Sequence, residues 1–275
     1  MIPLVILDLD GTVIGASGQV VPSVWEAAES ARAAGVKISV CTGRPGLGVA
    51  LRIARRLGPN VPHVFQSGAH LAFSDGETLM ASSLREAAAL KLVQHARELG
   101  LVLELYTPQH MYVERRTLIS EAHAAMIGVG ALVRDLAEVA QLEPVIRAQW
   151  VLTADQEPRA MTLRVDDVQV SRATSPAQPG TLFISLTRRG TSKGSAVLAL
   201  CRHLRIPVDR VMAVGDSSGD LPMLEQVGYP LVVGNAEAAL LERFPVLADA
   251  EDGGVVEALA MAVRGPNAVP RASVG

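Results

Sequence analysis

The run Leu4-Val5-Ile6-Leu7 ends abruptly in Asp8-Leu9-Asp10-Gly11-Thr12, and this transition restricts the fold more than any other part of the chain. A short, unbroken apolar run fits a strand buried on both faces, as in a parallel sheet covered by helices. Asp8 then stands at the carboxyl end of that strand, where open α/β sheets bind their ligands. Two carboxylates one residue apart at such a place repel each other and lose hydration unless a positive charge joins them. A hard divalent cation such as Mg²⁺ answers that need. The same residues also open ordinary loops, so Asp-x-Asp-Gly alone leaves both readings standing.

The chain repeats the pattern. Pro22 suits the first turn of a helix through Trp25, Ala28 and Ala31 that ends at Gly35. A second β run, residues 36–41, ends in Thr42-Gly43-Arg44-Pro45 and leads to a helix closing near Leu57-Gly58. The Thr42 hydroxyl and the N–H groups around Gly43 suit phosphate oxygens; a threonine here serves equally as a helix N-cap. This βαβα rhythm predicts an α/β fold with a doubly wound parallel sheet. Residues 63–66 read as a third strand, followed by Ser67-Gly68 and a hairpin turning at Asp75-Gly76.

The alternation then changes. A helix is expected over 84–99, a hairpin of strands 101–106 and 111–114, helices over 118–127 and 132–141, an extended stretch at 150–153, and paired strands 168–174 and 181–187 joined across Ser175-Pro176 to Pro179-Gly180. Residues 81–186 therefore read as an inserted α+β domain between core segments 1–80 and 187–275. His95, His110 and His123 fall within it without metal-ligand spacing, and His110 sits at a loop tip placed to touch a ligand.

The parallel rhythm resumes at Gly190-Thr191-Ser192-Lys193-Gly194, before a helix over 195–204. A lysine at a helix start opposes the macrodipole. On position alone a solvated lysine is the plainer reading, and a nearby anion is the other. Strand 210–214 then leads into Gly215-Asp216-Ser217-Ser218-Gly219-Asp220, so acids again leave a strand's carboxyl end. A strand at 229–233, a helix at 237–244 and a closing helix at 255–263 follow, and the tail from Gly265 is expected to be disordered.

At 275 residues with 49% hydrophobic content, the chain can fill a large core or a core plus insertion. A net charge of -3 and the absence of a basic cluster argue against a nucleic-acid partner. Cys41 and Cys201 make neither a disulfide framework nor a metal motif, which fits a reducing compartment. The first apolar run is too short for a signal peptide or a spanning helix, so a soluble, cytoplasmic protein without a membrane partner is expected.

Taken together, Asp8-Leu9-Asp10-Gly11-Thr12, Thr42-Gly43-Arg44, Lys193 and Gly215-Asp216-Ser217-Ser218-Gly219-Asp220 resemble, in order, the four motifs of the haloacid dehalogenase superfamily of phosphatases. The insertion between the second and third looks like the type IIB cap of the Cof-like hydrolases, as do Gly234-Asn235-Ala236 and Glu251-Asp252-Gly253. The resemblance implies a Rossmann-like core and an aspartyl-phosphate intermediate. By it, Asp8 is the nucleophile and Asp10 the acid and base, while Thr42, Gly43 and Lys193 grip the phosphoryl oxygens. Asp8, Asp216 and the Asp10 carbonyl would hold Mg²⁺, with Asp220 as a further ligand or just behind one. The cap would read the non-phosphate part of the substrate, for which Arg44 and His110 are candidates. Gly219 and Ser67 stand where such relatives often carry asparagine. The implied function is hydrolysis of a small phosphorylated metabolite, a sugar phosphate first and a phosphorylated cofactor such as pyridoxal phosphate or FMN next. A phosphosugar mutase on the same core and a non-catalytic binding protein are the alternatives. The sequence does not speak to oligomeric state.

Overall fold

The structure is a computed structural model describing residues 1–175 and 178–270. Strand Leu4–Leu7 (β1), helix Pro22–Ala33 (α1), strand Lys37–Val40 (β2) and helix Gly48–Leu57 (α2) open the chain. Pro22 occupies the start of its helix, where a missing N–H removes no helical hydrogen bond. Strands His63–Phe65 (β3), His70–Ala72 (β4) and Thr78–Ala81 (β5) form a small sheet of their own. Helix Glu86–Leu99 (α3), strands Val102–Tyr106 (β6) and Met111–Val113 (β7), and helix Leu118–Ile127 (α4) follow. Strand Ala131–Val133 (β8), helix Leu136–Leu142 (α5), strand Arg147–Leu152 (β9), the short helix Glu157–Ala160 (α6) and strands Val168–Thr174 (β10) and Leu182–Arg188 (β11) come next. Helix Lys193–Leu204 (α7), strand Val211–Gly215 (β12), helix Leu221–Leu224 (α8), strand Tyr229–Val232 (β13) and helices Ala238–Leu241 (α9) and Gly254–Arg264 (α10) complete it.

These elements gather into two compact units: Met1–Gly43, Leu51–Leu79 and the chain from Ser192 onwards in one, Arg44–Ala50 and Met80–Thr191 in the other. In the first unit four parallel strands run in the order β13-β12-β1-β2. Leu4, Val5, Ile6 and Leu7 are wholly buried, as are Val211 to Val214 beside them. Burial of each large aliphatic side chain contributes about 1.5–3 kcal/mol, which fixes the central strands firmly. Helix α1 packs on α10, and α7 on α8. Parallel pairing in this order places the exits of β12, β1 and β2 side by side, so residues 216, 8 and 42 leave the sheet at the same end.

The second unit carries a six-stranded sheet, β10-β11-β9-β6-β7-β8, antiparallel but for its β7–β8 pair. Alternation along the strands sends Leu103, Leu105, Ala148, Trp150, Leu152 and Ile184 into one apolar cluster with Leu92 and Val93 of α3 and Val139 of α5. Glu104 and Gln149 point to the opposite face. Glu104 is fully buried and accepts hydrogen bonds from Tyr106 Oη at 2.7 Å, His123 Nδ1 at 2.9 Å and Gln149 Nε2 at 3.1 Å. His123 is thereby engaged in a packed polar network.

Two expectations are corrected. The helix expected over 132–141 starts only at Leu136, because Asp135 caps it by accepting the N–H groups of Ala137 and Glu138; Ala131–Val133 instead pair in parallel with β7. The tail expected to be disordered from Gly265 forms a 3₁₀ turn at Pro266–Ala268 and buries Val269. Its last five residues, 271–275, like residues 176–177 of the loop expected between β10 and β11, lie outside the described residues. Among the described residues no helix is long and apolar enough to cross a membrane.

One buried histidine ties β2 to β3. His63 Nδ1 accepts the Val40 N–H at 3.1 Å, which leaves the ring proton on Nε2, facing the Gly58 carbonyl at 3.0 Å. Burial lowers its pKa to about 4, against about 6.5 in an unfolded chain. Between those values the unfolded state binds the extra proton, so stability falls as pH drops through that window and is unaffected above it. This histidine alone should cost about 2 kcal/mol between pH 7 and pH 5. His63→Gln does not titrate, so urea unfolding should show a decline smaller by about that amount; an identical decline in both proteins would contradict the assignment.

Candidate active site

Asp8 continues the ladder of β1, its N–H donating to the Val214 carbonyl at 3.0 Å, and its side chain is buried. Asp216 leaves the neighbouring β12 immediately after Gly215. Between them the chain turns sharply at Gly11, whose φ is +86° and where a Cβ would stand only 2.2 Å from Asp216 Oδ2. Glycine is required there for both reasons. Thr12, fully buried, donates its hydroxyl to Asp216 Oδ1 at 3.1 Å. Asp10 is exposed, and its charge bears on Asp216.

Lys193 comes from the far end of the sequence. Ser192 caps α7, its Oγ accepting the Ser195 N–H at 3.0 Å while Ser195 Oγ accepts the Ser192 N–H at 3.0 Å. That reciprocal cap starts the helix at Lys193. The Lys193 side chain is buried, and Nζ donates to Asp8 Oδ1 at 2.5 Å and to Asp220 Oδ1 at 2.6 Å. The solvated lysine suggested by position alone is therefore set aside: the folded sheet supplies the anions that its place on a helix start lacked. Asp220 is engaged at both oxygens, since Oδ2 accepts the N–H groups of Asp216 at 3.0 Å and Ser217 at 3.1 Å.

Asp8, Asp216 and Asp220 each offer an oxygen within 4.8 Å of the others. Burial raises the pKa of Asp8 well above the usual carboxylate range; Lys193 offsets part of this, and Asp220 and Asp216 add to it. Burial and Asp220 push Asp216 up to about 6. Burial works against the Lys193 ammonium, but Asp8 and Asp220 outweigh it and raise its pKa. Burial and neighbouring carboxylates thus leave Asp8 and Asp216 short of positive charge. A cluster of hard oxygen donors in that state fits a hard divalent cation. Cys41, nearby on the β2 exit, is held as a neutral thiol, since burial drives its pKa upward.

Thr42 is buried at the end of β2, its N–H donating to the Val64 carbonyl at 2.9 Å and its carbonyl accepting the Ser67 N–H at 3.0 Å. Helix α2 begins only at Gly48, which removes the N-cap reading of Thr42. The structure gathers Asp8, Asp216, Asp220 and Lys193 into one cluster, with Asp10, Thr42 and Gly43 in the same unit; Arg44 and His110 belong to the second unit. There the His110 ring lies 5.6 Å from that of Tyr112, whose hydroxyl is 3.2 Å from His110 Nδ1.

Two supporting residues had no assigned role in the sequence reading. Thr12 holds Asp216. Asn235 Nδ2 donates to the Gly11 carbonyl at 2.8 Å while its Oδ1 accepts the Ala250 N–H at 2.8 Å, tying the Asp8–Thr12 loop to the loop after β13. The signal for Asn235 was its place in Gly234-Asn235-Ala236 at a strand exit.

Residues 5–259 match the family model of the haloacid dehalogenase-like hydrolases. The pyridoxal phosphate phosphatase YbhA of Escherichia coli is 26% identical over 255 residues, covering 87% of this chain and 90% of the relative. The phosphatase YwpJ of Bacillus subtilis is 24% identical over 259 residues, covering 85% and 90%. The solved structure of the subclass IIB sugar phosphatase BT4131 superposes with a TM-score of 0.75 at 20% identity, covering 94% of this chain and 97% of that one.

Proposed function

The chain belongs to the haloacid dehalogenase-like hydrolases and is a phosphatase of that superfamily, and from that premise we propose a Mg²⁺-dependent phosphomonoester hydrolase for small phosphorylated metabolites. The observation that carries the proposal is the buried ammonium of Lys193 clasped between Asp8 and Asp220 beside Asp216. Such a site joins a carboxylate nucleophile to fixed positive charge, the equipment phosphoryl transfer needs.

In this reading an Asp8 oxygen attacks phosphorus and forms the acyl-phosphate bond as the ester P–O bond breaks, and Asp10 gives the leaving oxygen a proton. Asp10 then takes a proton from water, which attacks the same phosphorus and releases phosphate and the free Asp8 carboxylate. Lys193, Thr42 and Gly43 hold the phosphoryl oxygens. Asp220, with both oxygens already engaged, orients Lys193 and the backbone at residues 216–217. Asp8, Asp216 and the Asp10 carbonyl would hold Mg²⁺, which supplies neutralisation of the transferring group's charge when bound.

The second unit acts as the cap, and Arg44 and His110 are assigned to substrate selection. Sugar phosphates are the leading substrates and pyridoxal phosphate the next, classes that occur in the names of two of the relatives. The test is phosphate release from a generic aryl phosphate and from a panel of such metabolites. Activity should vanish in excess EDTA, return with Mg²⁺, and return poorly with Ca²⁺, whose looser coordination misplaces the attacking oxygen. Full activity after metal stripping would refute the metal assignment.

A further inference from the structure

The turn Gln66-Ser67-Gly68 between β3 and β4 is built in an unusual way. Its three residues are all left-handed, with φ of 55°, 53° and 103°. Two are not glycine, and side chains are held in that region only where the surroundings over-determine the backbone. Here they do. The Ser67 N–H donates to the Thr42 carbonyl at 3.0 Å, and the Ala69 N–H to the Gln66 carbonyl at 3.1 Å. Gly68 lies so close to the start of α7 that a Cβ would stand 2.1 Å from the Ser192 carbonyl oxygen and 3.2 Å from the Lys193 nitrogen. The turn is therefore fastened both to the Thr42-Gly43 exit and to the helix start that carries Lys193.

Within this turn Gln66 and Gly68 are buried and Ser67 alone is exposed. The Ser67 hydroxyl has no hydrogen-bond partner among the described residues, and its oxygen lies 3.3 Å from the point where a Cβ would stand on Gly43. The buried Oε1 of the neighbouring Gln66 likewise has no partner among the described residues. A structural turn at this place would use glycine or asparagine, which enter the left-handed region readily. A serine held there, with an unengaged hydroxyl beside a phosphate-binding backbone, is suited to a ligand.

We propose that Ser67 is a substrate-binding residue of this site, its hydroxyl donating to an oxygen of the phosphoryl group seated beside Gly43. The inference rests on the phosphatase reading above. The experiment compares Ser67→Gly and Ser67→Asn with the wild type in KM and kcat on an aryl phosphate, in inhibition by inorganic phosphate, and in Tm. Ser67→Gly removes the hydroxyl and relieves the backbone, so Tm should hold or rise while phosphate inhibition weakens about tenfold, with KM rising more than kcat falls. Ser67→Asn tolerates the left-handed backbone and restores a donor, so it should recover most of the loss. A purely structural turn predicts unchanged KM and phosphate inhibition in Ser67→Gly, and that result overturns the proposal. A wild type that neither hydrolyses the ester nor is inhibited by phosphate overturns the phosphatase reading itself, a distinguishable failure.

Discussion

Asp8→Asn is expected to give a folded protein that releases no measurable phosphate, a loss on the order of 10⁴-fold or more in kcat. The amide keeps the shape of the side chain but is not a nucleophile, and it withdraws one anionic oxygen from the cluster with Asp216 and Asp220. Folding should not suffer. Burial and the neighbouring carboxylates already hold the Asp8 pKa well above its usual range, so an ionised Asp8 is costly to the fold and a neutral amide relieves that cost. Lys193 keeps its hydrogen bond to Asp220. The expected pairing is therefore an inactive enzyme with Tm equal to or above that of the wild type, the exchange of stability for activity seen where a site is strained for function. Calorimetry and a phosphate-release assay on one preparation check both halves. Retained turnover, or collapse of the fold, would count against the reading.

Lys193→Ala should fail in the opposite sense, losing activity and stability together. Its ammonium is the shared partner of Asp8 and Asp220 within the protein, at 2.5 Å and 2.6 Å, and all three side chains are buried. Removing one member of a buried ion-paired group leaves the others uncompensated, typically at a cost of about 3–5 kcal/mol. Urea unfolding in the presence of EDTA reads that cost. Asp8→Asn combined with Lys193→Ala should recover part of it, because one of the stranded charges is then gone. An exposed lysine would lose less than about 0.5 kcal/mol, so a small effect would show that Lys193 is not clasped as described.

The contrast between these two residues shows what the sequence could and could not reveal. Asp8 was legible because the signal is local: an apolar run fit for a buried strand stops at an acid, and the strand exit follows from the run itself. The same rule singled out Thr42 and Asp216, and both stand just beyond the ends of their strands. Lys193 carries no such local mark, and its position on a helix start spoke mildly against burial. Its partners are Asp8 and Asp220, the first 185 positions away, and only the strand order β12-β1-β2 brings the relevant exits together. Sheet order of that kind is a property of the whole chain.

Two other features were hidden for different reasons. Ala131–Val133 merged with the amphipathic pattern of α5, and a three-residue edge strand is too short for alternation to show; Asp135 was the overlooked boundary. The left-handed turn at Gln66 and Ser67 could not be read at all, because neither residue type favours that backbone and the hydrogen bond from Ser67 to Thr42 that fixes it is a tertiary one. The strand-exit acids are thus written in short stretches of sequence, while the burial of Lys193 between two of them and the left-handed turn at Ser67 are written in the fold.

The central claim is covalent catalysis by Asp8, and the most direct measurement is acid quenching of the Mg²⁺-loaded enzyme during turnover, followed by peptide mass spectrometry. The account predicts a phosphorylated peptide containing Asp8 that accumulates with substrate, is lost on treatment with hydroxylamine and is absent from Asp8→Asn. Steady turnover with no phosphopeptide at Asp8, or with the phosphoryl group on another residue, would contradict it.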